Sequence, residues 1–483
     1  MLIVKPLAHT ILNHLDARDI DYADVRIVHH VSENVTVKNT APEAVKHRDT
    51  FGFGVRVLKN GAWGFAASSD FSKESIDKTA KQALEIAAAS RIAFGKRDSF
   101  QPPKAVTDSY ITPHRIDPFS KTLEEKLTLL EGATRMMLKE KKVNIAEGFI
   151  DSNRHQNVFA SSTGSLISQE IITCGGGIRA QAIDKGEVQS RSYPSGFRGN
   201  FATSGWEFVE RLRFLKHAPR VGAEAAELLT APVCPERETA IIIGGDQLAL
   251  QVHESIGHPI ELDRVLGYET SFAGTSFLKP GMVGVLKYGS KHVNVVADAT
   301  VKGGLGTFGY DDEGVRAQCT PIIKNGIFKG FLSSCSTAPV IGITSSGAMR
   351  ADGWSNIPLV RMTNVNLLPG EWDLQDLISD TKEGFLLEQN KSWSIDDKRI
   401  NFQFATEVAR EIKNGTLGQI YKNPVYTGVT TQFWRSCDAV CSKKHWELFG
   451  TPNCGKGEPS QTMYVGHGVA PARFRNVTVY SAK

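Results

Sequence analysis

The segments with helical character are concentrated in the first half of this 483-residue chain. Their apolar spacing, capping residues and composition predict helices at 6–18, 72–93, 122–142 and 205–231. Beyond residue 232, short strand-and-turn units predominate, and one stretch, 244–257, has the apolar stripe of a helix. This distribution predicts an α+β protein. An N-terminal mixed α/β domain at 1–231 precedes a mainly antiparallel β domain at 232–483, which is open, barrel-like and carries that helix.

Local signals refine this outline. Asn60-Gly61 lies between two strand-like runs and predicts a tight hairpin turn within 51–69. Pro219 lies inside the last helical segment of the first domain, where we expect it to break the helix. The prolines and charged residues near 233–239 indicate the boundary between the two domains.

The composition argues against several classes of protein. Lys and Arg number 56 against 52 Asp and Glu, and a net charge of +4 does not favour nucleic acid or an anionic membrane as the main partner. No apolar run approaches the roughly 20 residues that span a bilayer, and the N-terminus lacks the pattern of a signal peptide. The seven cysteines are irregularly spaced, without a CxxC pair. We therefore expect a cytoplasmic protein with reduced thiols.

The predicted helix at 244–257 runs into the sequence HESIGH, in which His253 and His258 flank Glu254. In the HExxH motif of zinc peptidases, the two histidines differ by about 40° around the helix and share one face. Five residues apart, they differ by about 140°. Two geometries could still bring both imidazoles to one metal ion. Gly257 and Pro259 could end the helix so that His258 lies on non-helical backbone, or a π-bulge could align positions i and i+5.

Two histidines do not complete a metal site. A catalytic zinc takes three protein ligands and keeps one position open for water. The residues alone leave several candidates for the third ligand, namely Glu261, Asp263, Glu269, His467 or a cysteine. A chance pair of histidines also remains an alternative at this point, because the chain contains 13 of them.

The C-terminal stretch TPNCGKGEPSQTMYVGHGVAPARFRNVTV, at 451–479, resembles the closing signature of the TldD/PmbA family, historically called modulators of DNA gyrase. Members of its TldD branch carry HExxxH and a late Cys-Gly-Lys followed by Gln, which here are the motif at 253–258, Cys454-Gly455-Lys456 and Gln461. Other stretches at 52–68, 309–314, 322–332 and 345–370 also resemble the family. The run GKGEPSQ is longer than the family's usual spacing, which puts contacts on the substrate side in doubt more than the metal.

The resemblance implies a zinc peptidase that acts on unfolded or extended peptides. Zinc (Zn²⁺) would be bound by His253, His258 and Cys454, and Glu254 would be the catalytic base. The family also implies a dimer, either a homodimer or a heterodimer with a PmbA/TldE-like paralogue. The alternative is a non-catalytic regulatory or binding protein of the same fold, and the intact ligand set argues against it.

The acidic sequence GYDDEG supplies candidates for contacts with the substrate. Its three carboxylates, Asp311, Asp312 and Glu313, could position a peptide or support a metal ligand. An ordinary acidic turn is an equally good interpretation of the same residues.

Overall fold

One long sheet forms the first half of the molecule. The computed structural model describes residues 4–16, 19–94, 98–196, 199–271 and 274–482. Eight strands pair in the order β3-β2-β1-β5-β6-β4, with β7 and β8 also on β6. These strands are β1 (Tyr22–Lys38), β2 (Ala41–Lys59), β3 (Ala62–Ser68), β4 (Thr107–Ile111), β5 (Val143–Ser161), β6 (Leu166–Asp184), β7 (Glu187–Tyr193) and β8 (Asn200–Ala202). Asn60 and Gly61 adopt positive φ in the β2–β3 turn, so the predicted hairpin is confirmed.

Helices cover one face of this sheet. They are α1 (Val4–Asp16), α2 (Lys73–Phe94), α3 (Leu123–Met137), α4 (Glu207–Leu212) and α5 (Phe214–Thr230). Alternate residues of β1, including Val25 and Val35, point to this face and are buried beneath helices at both ends of the long strands. The predicted break at Pro219 is wrong, because Pro219 lies within α5. The helix is interrupted instead at Arg213, which adopts a left-handed φ of 48°.

The opposite face of the sheet contacts the second half of the chain. Arg56 forms an ion pair with Glu313 at 3.1 Å, and both side chains are buried. Gly52 lies against the indole of Trp354, so closely that a Cβ at this position would come within 2.4 Å of the ring. Glycine is therefore required where the two halves meet on β2.

A closed barrel lies at the centre of the second half. Its five strands pair in a ring, β16-β9-β23-β19-β17, and the pairing of β17 with β16 closes it. The fold class is thus confirmed, although we expected the barrel to be open. The strands of this half are β9 (Arg237–Ile243), β10 (Val295–Asp298), β11 (Cys319–Lys324), β12 (Ile327–Phe328), β13 (Met349–Arg350), β14 (Leu359–Val360), β15 (Val365–Leu367), β16 (Glu383–Ile395), β17 (Asn401–Lys413), β18 (Thr416–Tyr421), β19 (Pro424–Val429), β20 (Cys437–Val440), β21 (Glu447–Lys456), β22 (Gln461–Val469) and β23 (Ala472–Ser481).

The helix that carries the histidine motif begins immediately after β9. The helices of this half are α6 (Gly245–Val252), α7 (Leu262–Val265), α8 (Leu374–Asp380) and α9 (Thr430–Arg435). Leu248, Val252 and Ile256 form the predicted apolar stripe and are fully buried in the core of this half. Helix α6 packs against β16 and the β21–β22 hairpin, and this packing sets the position of the residues that follow it. None of the described helices combines the length and apolar composition that crossing a bilayer requires.

Candidate metal centre

The turn after α6 is wider than an α-helical turn. Residues His253–Gly257 form a π-helix, and the backbone N–H of His258 donates to the carbonyl of His253 at 3.1 Å. This geometry aligns positions i and i+5, so the two imidazole centroids are 4.9 Å apart. His258 keeps helical angles, with φ −67° and ψ −41°. The alternative in which Pro259 forces His258 out of helical geometry is therefore wrong, and the π-bulge alternative is confirmed.

Cys454 joins the two histidines from a different part of the fold. It lies on β21, where the pairing with β22 shifts register between Thr451 and Cys454. Such an irregularity re-aims a side chain, and here Cys454 is buried beside the π-helix. The ligand atoms of His253, His258 and Cys454 all lie within 4.8 Å of one another. The 3.7 Å between Cys454 Sγ and His258 Nε2 is close to the roughly 3.6 Å that tetrahedral zinc coordination implies.

A chain of hydrogen bonds sets the tautomer of His253. The carbonyl of Val365 can only accept, so Nδ1–H of His467 donates to it at 3.1 Å. Nε2 of His467 is then an acceptor, and Nδ1–H of His253 donates to it at 2.8 Å. Nε2 of His253 therefore keeps its lone pair for a metal. His467, one of the candidates for the third ligand, instead orients a ligand.

Glu261 sets the tautomer and the orientation of His258, as His467 does for His253. Its carboxylate lies 3.0 Å from His258 Nδ1, which leaves Nε2 of His258 directed at the cysteine. Glu261 is fully buried, and the side-chain nitrogens of Lys456, Arg264 and Arg361 lie 3.5, 3.6 and 4.0 Å from it. These cations offset the cost of burying its charge.

The other two acidic candidates for the third ligand bind the β21–β22 hairpin. Asp263 accepts from the ammonium of Lys456 at 2.7 Å, and Glu269 accepts from the backbone N–H of Gly457 at 3.2 Å. Both carboxylates therefore hold the segment that follows Cys454 in place.

The electrostatic environment favours the metal-binding forms of Cys454 and His258. Burial alone would lower the pKa of His253, but the negative charge of Cys454 raises that pKa above its ordinary range. Burial alone would raise the pKa of the Cys454 thiol, but His253, Arg361 and His258 together hold that pKa well below its ordinary range. Burial holds the pKa of His258 well below its ordinary range, so this imidazole is neutral at neutral pH. Thiolate sulfur and neutral imidazole nitrogen are the donors that zinc prefers in proteins. The residues present therefore fit a zinc ion.

Glu254 lies beside the donor cluster without belonging to it. It is buried, and its carboxylate forms an ion pair with Arg399 from the β16–β17 turn. Arg399 is held by that turn with a positive φ of 65°. Sequence reasoning missed Arg399, because it is 145 residues away from Glu254 and no local pattern connects them.

The acidic turn lies at a cavity between the two halves of the molecule. Asp311 and Asp312 border this cavity, whereas the carboxylate of Glu313 pairs with Arg56 and accepts from the backbone N–H of Cys335. Burial, reinforced by the charge of Glu313, raises the pKa of Asp311 well above its ordinary range. Their role in substrate binding stays a prediction.

Family models for three successive domains match this chain. The PmbA/TldA metallopeptidase domain 1 matches residues 23–87, the central domain 116–231 and the C-terminal domain 236–481. The C-terminal match contains the whole donor cluster and Glu254. The resemblance inferred from the sequence motifs is therefore confirmed over most of the chain.

Curated relatives and solved structures agree with this assignment. A metalloprotease from Methanocaldococcus jannaschii is 33% identical over 93% of this chain and 94% of its own length. A zinc metalloprotease TldD homolog from Saccharolobus solfataricus is 20% identical over 95% of this chain and 96% of its own length.

Two crystal structures share the fold over 99% of this chain. TldE from Thermococcus kodakarensis has a TM-score of 0.71 at 17% identity, over 99% of its own length. A candidate modulator of a DNA gyrase from Thermotoga maritima has a TM-score of 0.77 at 16% identity, over 100% of its own length. Together with the domain matches, these findings place the chain in the PmbA/TldA metallopeptidase family.

Proposed function

We propose that this protein is a zinc-dependent peptidase that hydrolyses peptide bonds in unfolded or extended peptides. His253, His258 and Cys454 hold the zinc, and Glu254 is the general base. The observation that carries this proposal is the convergence of two imidazoles and one thiol around a single point, with a buried carboxylate beside them. The zinc metalloprotease relative from Saccharolobus solfataricus supports the choice of metal.

The donor set suits catalysis better than a purely structural role. Structural zinc sites are closed by four protein ligands, whereas this cluster offers three among the described residues. Two neutral imidazoles and one thiolate leave a net charge of +1 on the ion. When bound, zinc supplies a Lewis acid that acidifies water and polarises a peptide carbonyl.

The protein's own groups then move the proton. Glu254 accepts a proton from the attacking water and passes it to the amine that leaves. Arg399 fixes the orientation of the Glu254 carboxylate through their ion pair. Glu261 and His467 keep the two histidine rings directed at the ion while the bond is cleaved.

The proposal is tested by Glu254→Gln. The variant should retain zinc but lose cleavage of an unstructured peptide by about 10²- to 10⁴-fold, because glutamine cannot accept the proton. Zinc content and cleavage rate are measured on the same samples. Glu388→Gln is the matched control, since Glu388 also pairs with an arginine, Arg410, at 3.0 Å. A variant Glu254→Gln that cleaves at the wild-type rate would rule out the assigned base.

We also propose that the protein works as a dimer, with a second copy or with a PmbA/TldE-like partner. The exposed part of β2 supports this. Among the described residues, 41–52 pair only with β1, which leaves one edge open to another strand. Light scattering across a range of protein concentrations gives the mass that decides between monomer and dimer.

Seven free thiols support a cytoplasmic location.

A further inference from the structure

A cavity of about 370 Å³ lies between the first sheet and the second half of the chain. Its walls include His30 and His155 from the sheet, and Arg350, Asp352 and Tyr464 from the second half. This volume is within the range of about 300–1,000 Å³ that is usual for ligand pockets. The walls are rich in polar side chains, so a ligand that fits here carries polar or charged groups.

Arg350 is a wall residue whose guanidinium has no ion-pair partner among the described residues. No carboxylate oxygen of a described residue lies within 4.0 Å of its guanidinium. Its Nη1 donates to the carbonyls of Met362 at 3.0 Å and Tyr464 at 2.7 Å. The guanidinium lies over the ring of Phe308, 5.2 Å from its centroid. Burial lowers the pKa of Arg350 to about 10, so it remains a cation at neutral pH.

The nearby carboxylates are engaged by backbone groups. Asp311 accepts from the N–H of Met349 at 3.1 Å, and Asp312 accepts from the N–H of Ala351 at 2.7 Å. These two bonds hold the chain on both sides of Arg350. Asp352 accepts from the N–H of Thr462 at 2.9 Å. The acidic turn therefore positions Arg350, and the charges of Asp312 and Asp311 act on it without an ion pair within 4.0 Å.

The two carbonyls that anchor Arg350 belong to segments that contact the metal donors. Tyr464 follows Met463, which pairs with Cys454 across the β21–β22 hairpin. Met362 packs against Gly257, the neighbour of His258, and a Cβ at that glycine would come within 2.1 Å of the Met362 sulfur. The charge of Cys454 also acts on Arg350, so a ligand bound to Arg350 lies within electrostatic reach of the donor cluster.

We infer that Arg350 binds a carboxylate of the peptide substrate within this cavity. The inference rests on the proposed peptidase function and gives it a substrate preference. Among the described residues, only Nη1 of Arg350 donates to an acceptor. Nε and Nη2 together form the fork that matches the two oxygens of a carboxylate. The carboxylate belongs either to the C-terminus of the peptide or to an acidic side chain near the bond that is cleaved.

Binding of three labelled peptides to the full-length Glu254→Gln protein tests this inference without turnover. One peptide ends in a free carboxylate, the second in an amide, and the third in an amide preceded by a single glutamate. Fluorescence anisotropy should give a dissociation constant about 10- to 100-fold lower for a carboxylate-bearing form than for the plain amide. Adding Arg350→Gln should reduce that ratio to about one.

The two carboxylate peptides distinguish the sources. Tighter binding of either carboxylate peptide supports a carboxylate site at Arg350. The peptide that binds more tightly shows whether the bound carboxylate is the C-terminus or an acidic side chain. Arg26→Gln is the matched control, because Arg26 is buried at the same interface and donates to the carbonyls of Gly353 and Asn356 but does not line the cavity. This control should retain the ratio of the dissociation constants for the amide and carboxylate peptides.

Equal binding of the acid and amide forms by the parent protein would overturn the inference. So would an Arg350→Gln variant that keeps the ratio. If that variant does not fold, Arg350→Lys, which retains a donor for the two carbonyls, should still reduce the preference, and an unchanged preference overturns the inference. Failure of zinc binding or cleavage in the wild type would instead overturn the proposed function, since the binding assay requires neither.

Discussion

At the scale of single residues, the candidate site depends on groups that orient the donors. Glu261 and His467 each occupy the second ring nitrogen of a histidine, so both imidazoles present Nε2 to the same point. Glu261 lies three residues after His258, so the sequence shows that the two side chains can meet. The sequence does not show whether Glu261 binds the metal or orients His258. That decision depends on Cys454, which comes from a hairpin nearly 200 residues further along the chain.

Glu261→Gln should weaken zinc binding by about 10- to 100-fold, because an amide is a poorer acceptor for the Nδ1–H of His258. Competition with a chromogenic chelator measures the affinity. Glu269→Gln serves as the control, since Glu269 bonds the backbone of Gly457 and no ligand ring. An unchanged affinity in Glu261→Gln would mean that the hydrogen bond does not hold His258 in its binding geometry.

At the scale of elements, the π-helix brings the two histidines together. It fits because Gly257 has no Cβ where the Met362 side chain packs. Sequence periodicity could identify α6 and its buried stripe, and it showed that a regular helix would not align the histidines. It could not choose between a helix end and a π-bulge, because packing against the rest of the core makes that choice.

Gly257→Ala should destabilise the protein by about 1–3 kcal/mol, because the new methyl group overlaps the Met362 sulfur. Chemical denaturation measures the change in the free energy of unfolding. Gly281→Ala is the matched control, since a Cβ at Gly281 meets no atom within 4 Å. Combining Gly257→Ala with Met362→Ala should cost less than the sum of the two single changes. Full additivity would show that the two residues do not interact.

The interruption between α4 and α5 shows where sequence reasoning failed. Proline costs one backbone hydrogen bond in a helix, which led to the predicted break at Pro219. In the structure, Val221 and Ala225 of α5 are buried against α3 and the sheet, and this packing keeps the helix intact through the proline. The left-handed residue that ends α4 is Arg213, and an arginine gives no signal of that conformation.

At the scale of the whole molecule, two sheet systems meet at a polar cavity. The fold class and the family were predictable, because both follow from patterns spread over the entire chain. The Arg399–Glu254 ion pair and the cavity around Arg350 were not, since each joins residues that are distant in sequence. The closed barrel was not predictable either, because β9 pairs with β16 and β23, which lie far along the chain. The division into domains at 1–231 and 232–483 stays a prediction.

The most direct test of the central claim is the zinc content of the full-length protein by elemental mass spectrometry, compared with Cys454→Ala. We predict about one zinc per wild-type chain and almost none in the variant, because alanine removes one of three ligands. Cys437→Ala, at a buried cysteine on β20, should keep its zinc. A Cys454→Ala protein that retains a full equivalent of zinc, or a wild-type protein that binds none, would contradict the account.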